Sequence, residues 1–302
     1  MNGTCRLCSK ISALQESHII PKFIITWFKE TSPTGKLRSG EEINIRLQDG
    51  IKLYWLCANC ERRLGKWEKY FSEKLFLRLV NDEDNIYYDE KFLKFCVSIS
   101  WRVLKYFIEN GYVSNFSSNI HSKMNKALEV WKSFIFDEKG NPGEYEQHFF
   151  SFVGQLENVT LPVSKNIHRY LQRSIHMDVI CLGENIVLVY TKLPNLLIMG
   201  YVSLVDKNKW RDTKINANNG VLKQRGQSFS FPHELWKYIQ VKADHSKILK
   251  DSMSERQKTK INESYRQQPI DNIIASETFK SLDKDITLFG VDDVFESDDE
   301  EA

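Results

Sequence analysis

Four cysteines near the start of the chain have the spacing of metal ligands. Cys5 and Cys8 form one Cys-x-x-Cys pair, and Cys57 and Cys60 form a second. Each pair lets two thiolates hold one ion from a tight turn, and two pairs complete a tetrahedral shell of four sulfurs. We therefore predict that Cys5, Cys8, Cys57 and Cys60 bind a structural zinc ion.

A histidine lies between the two pairs, in the run Ser17-His18-Ile19-Ile20-Pro21. An imidazole titrates near neutral pH, so His18 is the candidate group for accepting a proton from water. The alternative is a histidine that packs beside the metal shell and stabilises a turn by hydrogen bonding. The sequence leaves both interpretations open.

The elements around these residues predict a compact zinc module over residues 1–80. A short strand over 52–56 leads into the second cysteine pair, and a helix starts at Glu61. After Pro21, apolar residues at positions 23, 24, 27 and 28 predict another helix. A strand, a cysteine turn and a helix in this order are typical of a treble-clef zinc fold.

The rest of the chain combines helical patterns with one group of strands. Apolar periodicity predicts helices over 89–110, 122–136, 145–155, 232–250 and 252–268, and strands over 176–182, 185–192 and 196–205. The stretch 31–50 is predicted to be an exposed loop or a loose hairpin, and 216–226 is predicted to be a loop. The predicted fold class is α+β, with an N-terminal treble-clef zinc module, a central helical bundle and a C-terminal antiparallel β-meander with covering helices. Residues 81–268 form the predicted mixed helical and β-meander domain.

Composition favours a soluble protein of a reducing compartment. The chain has 302 residues, of which 41% are hydrophobic and 27% are charged. It has no apolar run of about 18 residues and no signal-peptide core, so we expect a cytoplasmic protein without a membrane partner. Under reducing conditions, paired Cys-x-x-Cys motifs bind metal rather than form disulfides.

Charge is unevenly distributed along the chain, although the formal net charge is only +2. Seven acids and no base fall in residues 291–302, so the rest of the chain is basic and suited to a polyanion. We predict an acidic, disordered tail over 269–302, which aids solubility, screens a basic groove or docks a protein partner. The predicted nucleic-acid contacts, for which a solvated face is the alternative, are Lys36, Arg38, Arg62, Arg63 and Lys66.

The motifs of the first quarter of the chain, taken together, resemble the zinc-bearing HNH endonuclease superfamily. The resemblance rests on Cys5-x-x-Cys8, the Ser17 to Pro21 run, and Leu56-Cys57-x-x-Cys60 in this order. It implies a ββα-metal site in which His18 is the general base. It also implies that Glu61 replaces the closing His or Asn and helps to bind a catalytic magnesium or manganese ion.

Two residues depart from the family pattern. Ser17 stands where the family has an acid, and Glu61 stands where it has His or Asn. Glu61 has a second interpretation as an acid in the first turn of a helix, where the helix dipole stabilises it. Asn59 or Asn44 is a candidate for the orienting asparagine of the family.

Two functions follow from these observations. The first is a metal-dependent HNH-like endonuclease that hydrolyses nucleic-acid phosphodiesters, with DNA as the expected substrate. The resemblance also implies a bacterial defence or mobile-element setting. The alternative is a non-catalytic zinc-binding adaptor of HNH descent that binds nucleic acid or a protein partner. The protein partner would bind through the C-terminal domain or the acidic tail. An enzyme site within 90–250 has no motif to support it.

Overall fold

A computed structural model describes residues 1–156, 162–183, 185–204, 210, 212–225, 230 and 232–295. It has mixed α and β structure with antiparallel strand pairs. The strands are β1 (Asn2–Thr4), β2 (Ile11–His18), β3 (Leu37–Arg38), β4 (Arg46–Leu47), β5 (Lys52–Cys57), β6 (Ile86–Asp89), β7 (Gln147–Ser151), β8 (His176–Leu182), β9 (Ile186–Leu193), β10 (Leu196–Leu204) and β11 (Asn219–Leu222). The helices are α1 (Lys22–Glu30), α2 (Ala58–Tyr70), α3 (Leu77–Val80), α4 (Glu90–Glu109), α5 (Ser118–Ile135), α6 (Ile167–Arg173), α7 (His233–Asp251), α8 (Glu255–Arg266), α9 (Ile270–Ala275), α10 (Glu277–Phe289) and α11 (Val291–Phe295). A π-helical segment, Phe71–Phe76, joins α2 to α3.

Two compact units are built from interleaved stretches of the chain. The first unit contains the described residues of Met1–Pro21, Ile51–Val153 and Ile175–Pro232. The second contains those of Lys22–Gly50, Gly154–Ser174 and His233–Ala302. These units divide the chain differently from the predicted boundaries at residues 80 and 268. No helix among the described residues combines the length and the apolar character needed to cross a membrane.

Helix α4 occupies the core of the first unit. Asp89 caps its first turn by accepting the N–H of Lys91 at 2.9 Å, and every residue from Phe92 to Leu104 is buried. The helix packs against α2, α5 and strands β7 to β10. The helices predicted as a central bundle therefore share one core with the β-meander.

The larger sheet of the first unit has the order β7-β10-β9-β8. The antiparallel pairs β8–β9 and β9–β10 confirm the predicted meander, and all eight residues of β9 are buried. The prediction of a helix over 145–155 is wrong, because Gln147–Ser151 forms edge strand β7. Its register with β10 runs from Gln147 opposite Gly200 to Ser151 opposite Leu196. Hydrogen bonding to β10, about fifty residues later in the sequence, overrides the local preference for a helix.

A second correction concerns the stretch 216–226, which was predicted to be a loop. Its residues Asn219–Leu222 form β11 and pair with Ile86–Asp89 of β6. Tyr88 packs against Gly220, where any side chain would collide with the phenol ring. The glycine that suggested a loop is therefore required by close packing between two strands.

The second unit is mainly helical, and buried charged side chains connect its helices. Arg173 at the end of α6 lies 4.2 Å above the Phe28 ring and donates to Thr31 Oγ1 at 2.9 Å. Burial lowers the pKa of Arg173 to about 10. Asp285 of α10 is fully buried and accepts the backbone N–H groups of His168 and Arg169 at 2.8 and 3.2 Å. These contacts fix α6 against α1 and α10.

The prediction of a disordered tail over 269–302 is wrong for 270–295, where the chain forms α9, α10 and α11. Ser281, Asp285 and Val294 are buried in these helices. The prediction treated the acidic residues as unpaired charges that would keep the segment in solvent. In the structure, Asp285 pairs with Arg169, and Asp293 pairs with Lys165 at 2.9 Å. Residues 296–302 lie outside the described part of the chain.

The close approach of α4 to β10 gives a test of this core. A Cβ on Gly200 would collide with Ser100 of α4, so Gly200→Ala should lower the free energy of unfolding by about 1–3 kcal/mol. Urea denaturation measures the change. The double variant Gly200→Ala, Ser100→Gly should recover part of the loss. Equal stability of Gly200→Ala and the parent chain would contradict this packing.

Candidate metal centre and histidine strand

The four cysteines converge to form a site that fits zinc. Their sulfur atoms all lie within 4.8 Å of one another, and the Sγ atoms of Cys8 and Cys57 are 3.8 Å apart. A tetrahedron with Zn–S bonds of about 2.3 Å has edges of roughly 3.8 Å. Cys5, Cys57 and Cys60 are buried, whereas Cys8 is half-buried. Within the described residues, His, Cys, Asp and Glu side chains form no second group of three or more of this kind.

The backbone brings the two cysteine pairs together. The first pair lies in the turn between β1 and β2, where Ser9 adopts a positive φ of 62° and its N–H donates to the Cys5 carbonyl. The second pair lies at the junction of β5 and α2. The backbone N–H of Cys57 donates to the Cys5 sulfur at 3.3 Å, and that of Arg6 donates to the Trp55 carbonyl at 3.0 Å. Both turns are thereby fixed to each other, as a four-sulfur site requires.

The pKa values of Cys8, Cys57 and Cys60 are shifted in different directions. Burial raises the pKa of Cys8 and raises that of Cys60 well above its ordinary value. Burial acts in the same direction at Cys57, but the backbone N–H of Cys60 and the neighbouring thiols outweigh it and lower the pKa of Cys57 to about 7. Cys57 therefore becomes a thiolate before Cys8 and Cys60 do. Cys8 and Cys60 lose their protons when a cation enters, so metal binding must release protons.

Strands β2 and β5 form an antiparallel pair that joins the metal centre to His18. We call this pair the hairpin, although residues 19–51 separate its two strands in the sequence. A bulge interrupts their register, because Gln15 pairs with Leu56 while Glu16 pairs with Tyr54. Ser17 is buried beside this bulge, and its hydroxyl accepts the Leu56 N–H at 3.3 Å. The serine that replaces the family's acid therefore has a structural role in the hairpin.

His18 is the last residue of β2 and pairs with Lys52. The residue as a whole is half-buried. The next residue, Ile19, is buried and donates its N–H to the Ile51 carbonyl at 3.0 Å. The backbone at His18 is thus held in the ladder.

A buried arginine holds the carbonyl of His18. Arg102 of α4 is 3% exposed, and its Nη1 donates to the His18 carbonyl at 3.0 Å and to Glu68 Oε1 at 2.7 Å. Its Nε donates to the Ser98 carbonyl at 3.3 Å. Sequence reasoning missed Arg102 and Glu68. The available signal was a cation inside the long apolar run of the predicted helix, a position where a charge requires a partner.

A second contact from α4 reaches the part of the hairpin that lies next to the cysteines. Glu109 accepts the Trp55 Nε1–H at 2.9 Å and pairs with Arg6 at 3.1 Å. Arg6 lies between Cys5 and Cys8 in the first cysteine turn. Helix α4 therefore contacts the hairpin near both His18 and the cysteines.

Glu61 lies in the first turn of α2, directly after Cys60, and is half-buried. The position suits both earlier interpretations, since a first-turn acid is favoured by the helix dipole and a carboxylate can bind a divalent ion.

Two of the predicted nucleic-acid contacts share the exposed face of α2. Arg62 and Lys66 are both exposed and stand one turn apart, and Arg62 also donates to Asn59 at 3.2 Å. The neighbouring Arg63 instead pairs with Asp137 at 3.0 Å and is half-buried. Arg62 and Lys66 are therefore the better placed of the three for phosphate.

The other two predicted contacts belong to the second unit. Lys36 is exposed. Arg38 donates to the Ile43 carbonyl at 3.0 Å and to Gln257 Oε1 at 3.3 Å, and burial together with Arg46 lowers its pKa. Arg38 thus already has internal hydrogen-bond acceptors.

Comparison with models of protein families, with curated proteins and with solved structures gives no match for this chain. Function is therefore inferred from these residues and their geometry.

The metal centre gives a direct prediction. The chain should bind one zinc ion, and Cys60→Ser should lose it with a fall in stability of several kcal/mol. Cys96→Ala and Cys181→Ala should keep the ion, because neither residue belongs to the cluster. Elemental analysis and thermal unfolding measure both effects. Because Cys8 and Cys60 have raised pKa values and must lose protons on binding, zinc affinity should already fall as pH is lowered toward 7, and more steeply below about 7, the pKa of Cys57. Full zinc occupancy in Cys60→Ser would contradict the site.

Proposed function

We propose that this chain is a metal-dependent HNH-type endonuclease that hydrolyses phosphodiester bonds in nucleic acid, with DNA as the expected substrate. One observation carries the proposal: a single hairpin ends in His18 on one strand and leads into the four-cysteine centre on the other. The order of β2, β5 and α2 around that centre supports a treble-clef arrangement. Cytoplasmic location and a defence or mobile-element setting enter through the family resemblance alone.

The roles of the residues follow from their placement. A ring nitrogen of the half-buried His18 accepts a proton from the attacking water. The carboxylate of Glu61 offers oxygen to a divalent cation, whereas the Ser17 hydroxyl is already engaged with the Leu56 N–H. A magnesium or manganese ion bound there would supply positive charge next to the scissile phosphate. The four cysteines would hold zinc for structure and take no part in the chemistry.

A zinc-binding adaptor without catalysis is the second candidate function. Ser17 favours it, because this residue replaces an acid of the family pattern and serves the strand instead of a cation. In an adaptor, His18 would stabilise the hairpin, and the module would bind nucleic acid or a protein. The acidic residues from 291 onward offer a contact for a basic protein partner.

Nicking of supercoiled plasmid tests catalysis. The parent chain should cut in the presence of magnesium or manganese, and His18→Ala should lower the rate at least about 100-fold, as expected for loss of a general base. Zinc content should stay unchanged. The matched control is His121→Ala on α5, which should cut normally.

Two results would decide between the candidates. Absence of cleavage by the parent chain on DNA and RNA with either ion would refute the endonuclease. Equal rates for His18→Ala and the parent chain would refute the role of His18. Salt-dependent nucleic-acid binding without any cleavage would instead support the adaptor.

The exposed face of α2 gives a separate prediction on binding. Replacing Arg62 and Lys66 together with glutamine should weaken duplex binding and lower the slope of log K against log salt by about 1.8, or 0.9 for each lost phosphate contact. Fluorescence anisotropy without added magnesium or manganese measures the slope. Lys126→Gln, an exposed change on α5, should leave it unaltered. An unchanged slope in the double variant would exclude this face as the phosphate contact.

A further inference from the structure

We propose that Arg102 is a positioning residue for His18, so that the reaction depends on helix α4 outside the zinc module. The inference rests on the proposed function. Its basis is a buried guanidinium that joins three elements at one point: its own helix α4, Glu68 of α2, and the carbonyl at which β2 ends. Arg102 acts through the backbone of His18 and does not touch substrate.

The geometry of the guanidinium suits this task. Nη1 contacts both the His18 carbonyl and Glu68, at 3.0 and 2.7 Å, while Nε is held by the Ser98 carbonyl of the preceding turn. The planar group therefore has a fixed orientation before it reaches His18. A lysine ammonium lacks this planar set of donors and would hold the same acceptors with less directional control.

Burial gives the contact its strength. Arg102 is 3% exposed and the Glu68 side chain is 24% exposed, so water competes weakly for the arginine's donors. Charge-assisted hydrogen bonds in such surroundings are shorter and stronger than those between neutral groups. Among the residues that the structure describes, none accepts a hydrogen bond from Nη2, which leaves Nη1 and Nε as the groups that fix the side chain.

Helix α4 can transmit this constraint because two of its residues, Arg102 and Glu109, contact different parts of the hairpin. Glu109 holds Arg6 and Trp55 near the cysteines, and it lies seven residues after Arg102, or about 10 Å along the helix. Two contacts on one rigid helix set the distance between the metal end and His18. A displacement of about 1 Å at a catalytic group can reduce a rate about 100-fold.

The test compares Arg102→Gln with Lys126→Gln, which removes an exposed cation from α5 and leaves the contacts of Arg102 and Glu109 intact. Arg102→Gln should lower kcat for plasmid nicking about 10- to 100-fold while KM and zinc content stay within about twofold. Lys126→Gln should change neither constant. A purely structural role for Arg102 would not separate kcat from KM in this way.

A second measurement detects a change in the surroundings of His18 without relying on activity. The ring and backbone NMR signals of His18, identified by their loss in His18→Ala, should shift in Arg102→Gln and stay in place in Lys126→Gln. If Arg102→Gln does not fold, Arg102→Lys replaces it, since it keeps the positive charge beside Glu68 while losing the planar donor set. The same shift and a lower kcat are expected.

The outcomes separate the two proposals. If the parent chain cuts nucleic acid, an unchanged kcat together with unmoved His18 signals in a folded Arg102 variant overturns the positioning role. If the parent chain does not cut, the endonuclease proposal fails and the NMR signals alone decide. Moved signals then support the placement of His18 by Arg102, and unmoved signals overturn it.

Discussion

The burial of helix α4 is the constraint on which the first unit depends. Thirteen consecutive residues, Phe92 to Leu104, are removed from water, so every surface of this stretch needs a packing partner. The β-meander, α2 and α5 supply those partners. The two cations within the stretch, Lys94 and Arg102, are tolerated because each has an acid and a backbone carbonyl as acceptors.

The three-stranded sheet that carries the cysteines has little apolar surface of its own to bury. Its strand β1 has three residues, and Ile11 and Tyr54 are exposed on the sheet. A sheet of this size is marginally stable unless it packs against another element or is cross-linked. A metal ion held by the four cysteines would supply the cross-link, and α2 and α4 supply the packing. Helix α4 contacts these strands both near the cysteines and at His18.

The sequence was informative where one local pattern decided the structure. Cysteine spacing identified the metal centre, and apolar periodicity identified α4 and the meander strands. It failed where the deciding partner lay far away in the chain. Strand β7 depends on β10, and β11 depends on β6, which neither local segment reveals. Arg102 and Glu68 were missed for the same reason, because a buried ion pair between two helices has no sequence spacing of its own.

The chain passes between the two units five times, and two of these crossings fall between strands β2 and β5. Strand β2 and strand β5 belong to the first unit, whereas the intervening Lys22–Gly50 belongs to the second. Neither unit is a contiguous piece that a single protease cut could release. During synthesis on a ribosome, both cysteine pairs emerge well before the meander strands that cover α4. The thiolates can thus capture an ion while most of the surrounding core has yet to be made.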